Sequence, residues 1–556
     1  MFELTLQQKV ENSQAIFEGK VTGQKCFWNA EHTLIFTSNI VEVYKVFKGS
    51  ITNTTVEVIT EGGLIGDEMQ QIEPNLILSE GDIGIFMAEP SITKDPLNSL
   101  NTQAFQCYGS SQGFLKYDLL TKTAACPFKK YNDIANELYP AITNLCGQSY
   151  RTLQFFDMDR SITNIQYAIA KSGGSITSFS PTSITAGTNS VLTINGTGFG
   201  AVMGSSTVNF KNPDDGGTTY NIASAYHYLL WSDTLIQVRV PAKSGTGTIQ
   251  VVVSGTPLTS ASVLTVKYAE SNTVYLNIPY QTDLVNLNGS GGVTWQMNTA
   301  FDSNTPAKNA FNRALHTWSS NTSVNWMVGG TTSKDAIARD SVNVVRFDIG
   351  NELPAGTLAR CYYYWLGCAT SVWFVSELDM AVDDGTSWEF GPAAPTGSLY
   401  DFESVMLHEL GHGHQLGHVI NNSDVMHYST LNGVSNRVLN TNNSAGGNDI
   451  MSRSFVANSC GNGPMTPSSV GISTHLNNNT FITYPNPTSG NITIELPEET
   501  SMVQAFNYLG EMVASMNTGS SSKKINLDLS HCIDGVYCIV AHVNGNAISE
   551  NIVLAK

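Results

Sequence analysis

The sequence has few charged residues and no long apolar run. Only 13% of its 556 residues are charged, and no basic cluster offsets the formal net charge of −18, so we expect no binding to nucleic acid or anionic lipid. No stretch approaches the roughly 20 consecutive apolar residues of a membrane span, so we expect no transmembrane segment. The first residues, MFELTLQQKVENSQ, lack a basic segment followed by an apolar one, and we expect that a signal peptide is absent from this sequence.

The nine cysteines form no CxxC pair and lie far along the chain from the histidine cluster described below. We therefore do not expect a cysteine-ligated zinc site. Cys361 with Cys368, and Cys532 with Cys538, could close short disulfide loops in an oxidising compartment, and buried free thiols are the alternative. Because the count is odd, at least one cysteine is unpaired within the chain.

The chain is too long for a single core, so its length predicts several domains. Residues 1–172 carry short runs of alternating apolar and polar residues between Gly and Asn turns, which predict a β-barrel or sandwich. Polar, Asn- and Ser-rich residues 461–479 predict a linker, and residues 480–556 predict a further β-sandwich. Residues 173–270 and 271–460 form the two remaining predicted domains.

Residues 271–460 combine helices with strands. Helical spacing predicts a helix in TPAKNAFNRALHTWSSNT, with its apolar face formed by Ala310, Phe311, Ala314, Leu315 and Trp318. NVVRFDIG and SVWFVSELDMAV predict strands, and SLYDFESVMLHELGHG predicts a second helix with Ser398 as N-cap and Asp401 completing a capping box. This order predicts an α/β or α+β fold with one mixed sheet.

Four histidines and one glutamate lie within the eleven residues HELGHGHQLGH, in a chain that has only 11 histidines. On a helix, His408 and His412 project from the same face, where two neutral imidazoles can share one zinc ion. Glu409 is rotated by about a quarter of a turn from His408. We therefore expect Glu409 to be the base that activates a zinc-bound water.

A catalytic zinc ion needs a third protein ligand, and His418 is the candidate that we favour. Six residues of continued helix would carry it about 9 Å away from His412, so the chain must break and turn back, which Gly413 and Gly417 permit. His414 projects from another side of the helix. Its predicted place is behind the ligands or at the surface.

The run HELGHGHQLGH resembles the extended zinc motif HExxHxxGxxH of the metzincin metallopeptidases. The resemblance implies zinc ligation by His408, His412 and His418, with Glu409 as the catalytic base. In SDVMHYST it further implies a methionine turn beneath the metal at Met426. Tyr428 matches a tyrosine that assists the transition state in some of these families, and it is our second candidate catalytic residue.

The sequence departs from this motif at one position. The glycine three residues past the second histidine is Gln415 here. Two explanations stay open at this point. Either the turn has shifted to Gly413 or Gly417, or Gln415 itself adopts the left-handed conformation at a cost of about 1–2 kcal/mol.

The layout from Gly291 to Tyr428 is similar to that of bacterial matrixin-type peptidases. In that family a strand like SELDMAV borders the cleft and pairs with an extended peptide, so the resemblance places substrate beside Glu377. A candidate calcium site, with a solvated strand and loop as the alternative, comprises Glu377, Asp379, Asp383 and Asp384. The sequence has no PRCGxPD-like cysteine switch, and residues 1–172 are either a pro-segment or an accessory domain.

Two flanking regions resemble known families. Residues 174–268 resemble the IPT/TIG immunoglobulin-like domains, which implies a spacer or binding surface, through Ser180-Pro181, Gly196 to Gly200 and Val240-Pro241. The last 75 or so residues resemble the C-terminal sorting domain of the type IX secretion system of Bacteroidota, through Tyr484-Pro485-Asn486-Pro487, Gly490, Asn507, Leu509-Gly510 and Gly535-Val536-Tyr537. This second resemblance implies outer-membrane export to the cell surface or the exterior, with the secretion machinery as a partner.

These features together predict a secreted zinc metalloendopeptidase that cleaves proteins or peptides. Its fold class is multidomain: an α+β catalytic domain of metzincin type, flanked by an N-terminal β-rich domain, an Ig-like sandwich and a C-terminal β-sandwich. The alternative is a surface adhesin or binding protein whose metallopeptidase domain is inert or secondary. The sequence indicates no substrate-binding residues and no cleavage preference.

Overall fold

The computed structural model describes residues 1–95, 103–156, 173–350, 352–368, 371–458, 460–468, 481–496, 500–507, 511–518, 524–543 and 546–556. The protein is multidomain and mostly β, and it divides into two compact units, Met1–Ser468 and Ser469–Lys556. None of the helices in the described residues is long and apolar enough to cross a membrane.

Residues 1–156, which we call the N-terminal module, form a β-barrel with two short helices, α1 and α2. Strand β1 pairs with both β2 and β6, which closes the five strands β1–β2–β3–β7–β6 into a ring. The prediction of a barrel or sandwich is therefore confirmed. The elements are β1 Ala15–Trp28, β2 Ile35–Lys48, β3 Thr55–Glu61, β4 Gly63–Ile65, β5 Glu68–Glu73, β6 Ile83–Pro90, β7 Ala104–Cys107, β8 Phe114–Asp118, β9 Thr123–Cys126, β10 Lys129–Tyr131, β11 Arg151–Thr152, α1 Leu6–Asn12 and α2 Tyr139–Cys146.

Residues 175–269, which we call the Ig-like module, form a sandwich. Two four-stranded sheets, β12–β14–β18–β17 and β16–β15–β19–β20, enclose a common apolar core, and β13 pairs with β21. Alternate residues along β14 and β18 are buried, as a half-buried strand requires. The strands are β12 Ser175–Ser180, β13 Ser183–Ala186, β14 Val191–Thr197, β15 Thr207–Lys211, β16 Tyr220–Ile222, β17 Tyr228–Trp231, β18 Leu235–Arg239, β19 Gly245–Val253, β20 Thr256–Thr259 and β21 Thr265–Ala269.

Residues 271–468, which we call the histidine module, form a mixed sheet with helices. The sheet order is β25–β24–β26–β28–β27–β5–β4, so the last two strands come from the N-terminal module. Strands β24, β25, β26 and β28 are parallel, and β27 is antiparallel to both of its neighbours. The elements are β22 Asn272–Tyr275, β23 Ile278–Asp283, β24 Val293–Met297, β25 Trp326–Val328, β26 Asn343–Phe347, β27 Ala359–Cys368, β28 Val372–Val382, β29 Trp388–Glu389, β30 Tyr400–Asp401, α3 Thr299–Ser303, α4 Thr305–Thr322, α5 Phe402–Gly413 and α6 Thr441–Ser454.

Helices α4 and α5 pack together over this sheet. The five residues predicted to form the apolar face of α4 are all buried, and Trp318 on that face donates its indole N–H to the carbonyl of Leu407 in α5 at 2.8 Å. Asn304 caps α4 by accepting the amide of Ala307. The cap predicted for α5 is wrong: the helix starts at Phe402, because residues 400–401 form β30 instead, and Asp401 accepts the Ser404 amide at 3.0 Å.

Neither local cysteine pair forms a disulfide, and the alternative of buried free thiols holds for Cys361 and Cys532. Cys361 and Cys368 lie at opposite ends of the extended strand β27, roughly 23 Å apart at ~3.3 Å per residue, which is far beyond disulfide reach. Cys368 is instead bonded to Cys460, with their Cα atoms 5.9 Å apart. Cys361, Cys532 and Cys538 are free thiols.

The C-terminal unit is a small β-sandwich. A three-stranded sheet, β31–β32–β35, and a four-stranded sheet, β34–β33–β36–β37, share one apolar core. The strands are β31 Ile482–Tyr484, β32 Asn491–Glu495, β33 Thr500–Phe506, β34 Met512–Asn517, β35 Lys524–Asp528, β36 Gly535–Val543 and β37 Asn546–Leu554. Leu509-Gly510 of the sorting motif and most of the predicted linker lie outside the described residues. So does Ser172, the last residue of the predicted N-terminal domain. Residues 461–468 of that linker lie in the first unit, where Thr466 donates its amide to Gly291 at 2.8 Å.

Candidate metal centre

Helix α5 places the first two candidate ligands on one face. The His408 and His412 side chains project side by side, and their Nε2 atoms are 3.0 Å apart. His412 is fully buried and His408 is partly buried. Burial is the main reason that the pKa of each imidazole lies well below its usual value of 6.5. Both rings are therefore neutral and keep a lone pair for a metal ion.

The chain leaves α5 through a Schellman turn at Gln415. The Gln415 amide bonds to the His412 carbonyl at 2.8 Å, and the Leu416 amide bonds to the Gly411 carbonyl at 2.9 Å. Gln415 itself has a φ of 71°, whereas Gly413 and Gly417 do not have a positive φ. Of the two explanations left open by the sequence, the second therefore holds: glutamine occupies the left-handed position.

Four side-chain hydrogen bonds hold Gln415 in this conformation. Its Oε1 accepts the indole N–H of Trp365 at 2.6 Å and the hydroxyl of Thr282 at 2.9 Å. Its Nε2 donates to the carbonyls of Gly413 at 3.2 Å and His412 at 3.4 Å. The side chain is fully buried, and this network offsets the backbone strain with bonds that a glycine cannot make.

After this turn the chain runs back and brings His418 to the other two histidines. The Gly417 amide bonds to the Ala269 carbonyl of the Ig-like module at 2.9 Å, which fixes the return path. Nε2 of His418 then lies 3.2 Å from Nε2 of His412. Three ligand atoms thus converge, one from each of the predicted ligands His408, His412 and His418.

The spacing and chemistry of these nitrogens fit a bound cation. A tetrahedral zinc ion with Zn–N bonds of ~2.0–2.1 Å separates its ligand nitrogens by roughly 3.3–3.4 Å, close to the 3.0 and 3.2 Å observed here. Neutral imidazoles that point lone pairs at each other repel, and a cation between them removes that repulsion. The donor set therefore fits zinc, and zinc ligation itself stays a prediction.

Each of the three rings is oriented through its other nitrogen. Nδ1 of His408 lies 2.7 Å from the Val425 carbonyl, and Nδ1 of His412 lies 2.8 Å from the Leu416 carbonyl. Nδ1 of His418 lies 2.8 Å from Oδ1 of Asp214, which belongs to the Ig-like module. These acceptors hold Nδ1 protonated and leave Nε2 free to bind a metal.

Asp214 is a residue that the sequence analysis missed. It lies 204 positions before His418, in the turn NPDDGG, and a short acidic turn is the only signal that it left. Its Oδ2 also binds Lys243 at 2.7 Å. Burial raises the pKa of Asp214, but Lys243 and His418 outweigh burial and hold it well below its usual range. The carboxylate is therefore charged at neutral pH.

Glu409 is buried beside the three histidines. Burial raises the pKa of its carboxyl to about 8, and the Met1 amino group and the Cys361 amide of β27 oppose that shift only in part. Its Oε2 is buried without a hydrogen-bond partner among the described residues. An unpartnered buried carboxylate oxygen is costly, and a water or ligand beside the histidines would satisfy it.

Met426 packs against α5 between the two helical ligands. A Cβ atom added to Gly411 would lie 2.2 Å from Sδ of Met426, so this contact requires glycine. The turn that carries Met426 is tied to His418 because the Val419 amide donates to the Met426 carbonyl at 2.9 Å. The place of Met426 matches the floor that the sequence analysis expects, and that role stays a prediction.

The remaining histidine and tyrosine have other partners. His414 is fully buried, so the surface alternative is wrong: its Nε2 lies 2.8 Å from the Thr322 hydroxyl, and its ring packs on Trp318. The Tyr428 hydroxyl donates to the Pro127 carbonyl of the N-terminal module at 3.0 Å, and its ring packs on Phe128. A catalytic role for Tyr428 stays a prediction.

The prediction that an extended substrate pairs with the strand that carries Glu377 is wrong. Strand β28, which carries Glu377, pairs with β27 along one side. On its other side it pairs with β23 at residues 373–374 and with β26 at residues 380–382, and Asn343 accepts the Leu378 amide between them, so it offers no free edge near Glu377. The strand beyond it is β27, whose amide at Cys361 bonds to Glu409. In the described conformation, the outer edge of β27 is paired with β5 of the N-terminal module.

The acidic residues considered for calcium are split between two environments. Glu377 and Asp379 are buried, not solvated, and accept backbone amides of the 338–344 segment, including Ser341 to Glu377 at 2.7 Å and Val344 to Asp379 at 2.9 Å. Burial raises the pKa of Glu377 to about 7 and that of Asp379 well above its usual value. Asp383 and Asp384 cluster instead with Asp348.

Comparison with known proteins identifies the two flanking regions. Residues 175–269 match the IPT/TIG domain, and residues 483–555 match the Secretion system C-terminal sorting domain. The chain carries a type IX sorting domain. It is therefore exported to the cell surface or the exterior, and it interacts with the secretion machinery. No curated protein matches the chain.

Three solved structures show only weak similarity. A structural genomics protein of unknown function from Bacteroides thetaiotaomicron is 14% identical over 21% of this chain, which spans 25% of that protein, with a TM-score of 0.16. A protein crystallised with xylogluco-oligosaccharide is 10% identical over 68% of this chain and 60% of its own, with a TM-score of 0.15. The BSP domain of a biofilm associated protein is 8% identical over 97% and 80%, with a TM-score of 0.13. TM-scores this low establish no common fold.

Proposed function

We propose that the chain is a secreted zinc metalloendopeptidase of metzincin type. The convergence of three Nε2 atoms within 4.8 Å, from His408, His412 and His418, supports this proposal most directly. Three neutral imidazoles beside a carboxylate are the donor set of a catalytic zinc site rather than of a structural one, because they leave a fourth position open. The mixed sheet and the two packed helices of the histidine module agree with the layout expected from the sequence.

The proposed chemistry divides between the ion and the chain. When bound, zinc lowers the pKa of a water molecule to about 7 and polarises a peptide carbonyl. Glu409 takes a proton from the attacking water at its unpartnered Oε2 and passes it to the leaving amine. A cation beside Glu409 favours its charged form, which opposes the effect of burial on its pKa. The Val425 and Leu416 carbonyls and the Asp214 carboxylate hold the three imidazole rings in their orientations.

The first experiment measures zinc content and casein cleavage together. The full chain is expected to bind one zinc ion and to hydrolyse unfolded casein over long incubations. Glu409→Ala is expected to keep the zinc and lose the hydrolysis, because it removes the base and none of the ligands. His412→Ala is expected to lose both. Equal cleavage by the full chain and Glu409→Ala would reject this mechanism.

The IPT/TIG match supports a second candidate function, a surface-displayed binding protein with an inert metal site. In that case the chain would retain zinc through the three histidines but cleave neither casein nor short peptides. The same experiment distinguishes the two candidates, since zinc without hydrolysis in every form of the chain favours binding.

A further inference from the structure

We propose that the N-terminal module has a function of its own: it inhibits the metal centre of the same chain. This inference rests on the proposed function, because it assigns a regulator to that site. It is carried by strand β5, which occupies the sheet edge next to the candidate ligands. It goes beyond an accessory role because the contacts fall on the elements that border the site.

The first contact is the strand pairing itself. Residues 68–73 of β5 lie antiparallel to residues 361–366 of β27, in a continuous register from Glu73 opposite Cys361 to Glu68 opposite Leu366. An extended peptide that binds by strand addition needs a free sheet edge. Since β28 covers the other side of β27, β5 holds the edge that a peptide would use beside Glu409.

The second contact is a carboxylate brought next to the ligands. Glu73, at the end of β5, is buried, and one of its oxygens lies within 4.8 Å of a ring nitrogen of His418. Lys243 of the Ig-like module binds Glu73 at 3.4 Å and Asp214 at 2.7 Å. Strand β5 thus ends in a carboxyl group close to His418, beside the Asp214 carboxylate that bonds to Nδ1 of that ring.

The third contact holds the first residues of the N-terminal module against the histidine module. The Phe2 amide donates to the Gly356 carbonyl at 2.9 Å, and the Phe2 ring packs against Tyr400, two residues before the start of α5. Gln112 of the N-terminal module holds this segment by donating to the Phe2 carbonyl at 2.9 Å. The bond from Tyr428 to Pro127 adds a fourth tie to the same module.

A buried ion pair and an apolar cluster stabilise the interface between β27 and the N-terminal module. Arg360 of β27 is 1% exposed and pairs with Glu61 of the N-terminal module, and a buried charge without its partner is strongly destabilising. Ile72 of β5 is buried in a small apolar cluster with Tyr362 and Tyr364 of β27. Displacing β5 would release inhibition of this kind. Deleting the whole module would instead leave Arg360 buried without its partner Glu61.

Gln71→Pro tests the proposal in the full chain. Gln71 pairs with Tyr363 of β27 but lies beyond the end of β4, which reaches only Gln70. Proline there removes an N–H and disturbs the pairing with β27 while leaving the β4–β5 hairpin intact. Gln71→Thr is the matched control, because threonine keeps the backbone N–H that proline removes and favours strands. Ile72→Ala weakens the same contact through packing, should Gln71→Pro fail to fold by circular dichroism.

Two readouts separate failure of this inference from failure of the proposed function. The first is casein hydrolysis; the second is binding of a fluorescent peptidyl hydroxamate to the zinc-loaded chain, which reports access without catalysis. We expect Gln71→Pro to raise both by at least tenfold over the full chain and Gln71→Thr, with the gain in hydrolysis abolished by Glu409→Ala.

The other outcomes are equally decisive. Equal and measurable hydrolysis by Gln71→Pro and the unchanged chain, lost in Glu409→Ala, overturns the inhibition and leaves the peptidase standing. Hydroxamate binding that rises without any hydrolysis upholds the inhibition and rejects the peptidase. Hydroxamate binding that is the same in all folded variants, whether strong or absent, overturns the inhibition.

Discussion

Replacing Gln415 by glycine restores the residue that the HExxHxxGxxH motif has at this position, and we expect it to destabilise this protein. Glycine relieves the left-handed strain of about 1–2 kcal/mol that glutamine bears at a φ of 71°. It also removes both acceptor bonds of Oε1. The indole N–H of Trp365 is then buried without a partner, which costs about 1–3 kcal/mol.

The Thr282 hydroxyl loses its shorter bond and keeps only a contact of 3.4 Å to the Ser271 carbonyl. The void left by the side chain adds to the loss. We therefore expect the glycine variant to be less stable than the natural chain by about 1–2 kcal/mol. Gln415→Ala loses the same bonds but keeps the strain, so its loss is larger, about 3 kcal/mol.

Urea unfolding followed by tryptophan fluorescence measures this order, with Trp365 itself among the reporters. The expected ranking of midpoints is the natural chain first, then Gln415→Gly, then Gln415→Ala. A glycine variant as stable as the natural chain would refute the claim that the side-chain network outweighs the strain. Equal midpoints for glycine and alanine would show that the strain is not felt.

Three further predictions concern the metal centre. Asp214→Asn should weaken zinc binding by 10- to 100-fold, because it removes the charge that orients His418. Competition with a chelator measures the affinity. The control Lys243→Met leaves Asp214 in place and should weaken zinc binding far less. Gly411→Ala should destabilise the chain by about 1–3 kcal/mol through its clash with Met426, seen as a lower unfolding midpoint, and an unchanged midpoint would contradict the contact. Burial lowers the pKa of His408 and His412 well below 6.5, so protons compete for these nitrogens only at lower pH. The zinc content measured after dialysis should therefore stay constant as the pH falls through 6.5. Loss of zinc with a midpoint at pH 6.5 would argue against buried ligands.

Local periodicity predicted the parts of the site that lie within one helix. The i, i+4 spacing of His408 and His412 fixes a shared face, and the structure places their Nε2 atoms 3.0 Å apart. The apolar face of α4 was predicted for the same reason and is buried. The break after His412 was also predicted, because His418 could reach the site only if the helix ended.

Long-range pairing could not be predicted from the sequence. The choice of Gln415 over Gly413 depends on Trp365 and Thr282, which are 50 and 133 residues away. The disulfide partner of Cys368 lies 92 residues on, and Cys368 cannot bond to Cys361 because the extended strand β27 keeps the two apart. The matrixin resemblance placed Glu377 on a strand that borders the cleft, and only the sheet order shows that β28 is interior.

The candidate metal centre is assembled from three modules that the sequence divides into separate domains. The N-terminal module supplies Glu73 and covers the edge of β27, and the Ig-like module supplies Asp214 for His418. Lys243 binds both carboxylates, so displacing β5 removes one of its two acidic partners and leaves it paired with Asp214 alone. Opening the edge therefore changes the charge balance behind a ligand as well as access to it. The Ig-like module orients His418, a proposed ligand, so its place in the chain goes beyond the spacer or binding surface that its family resemblance implies.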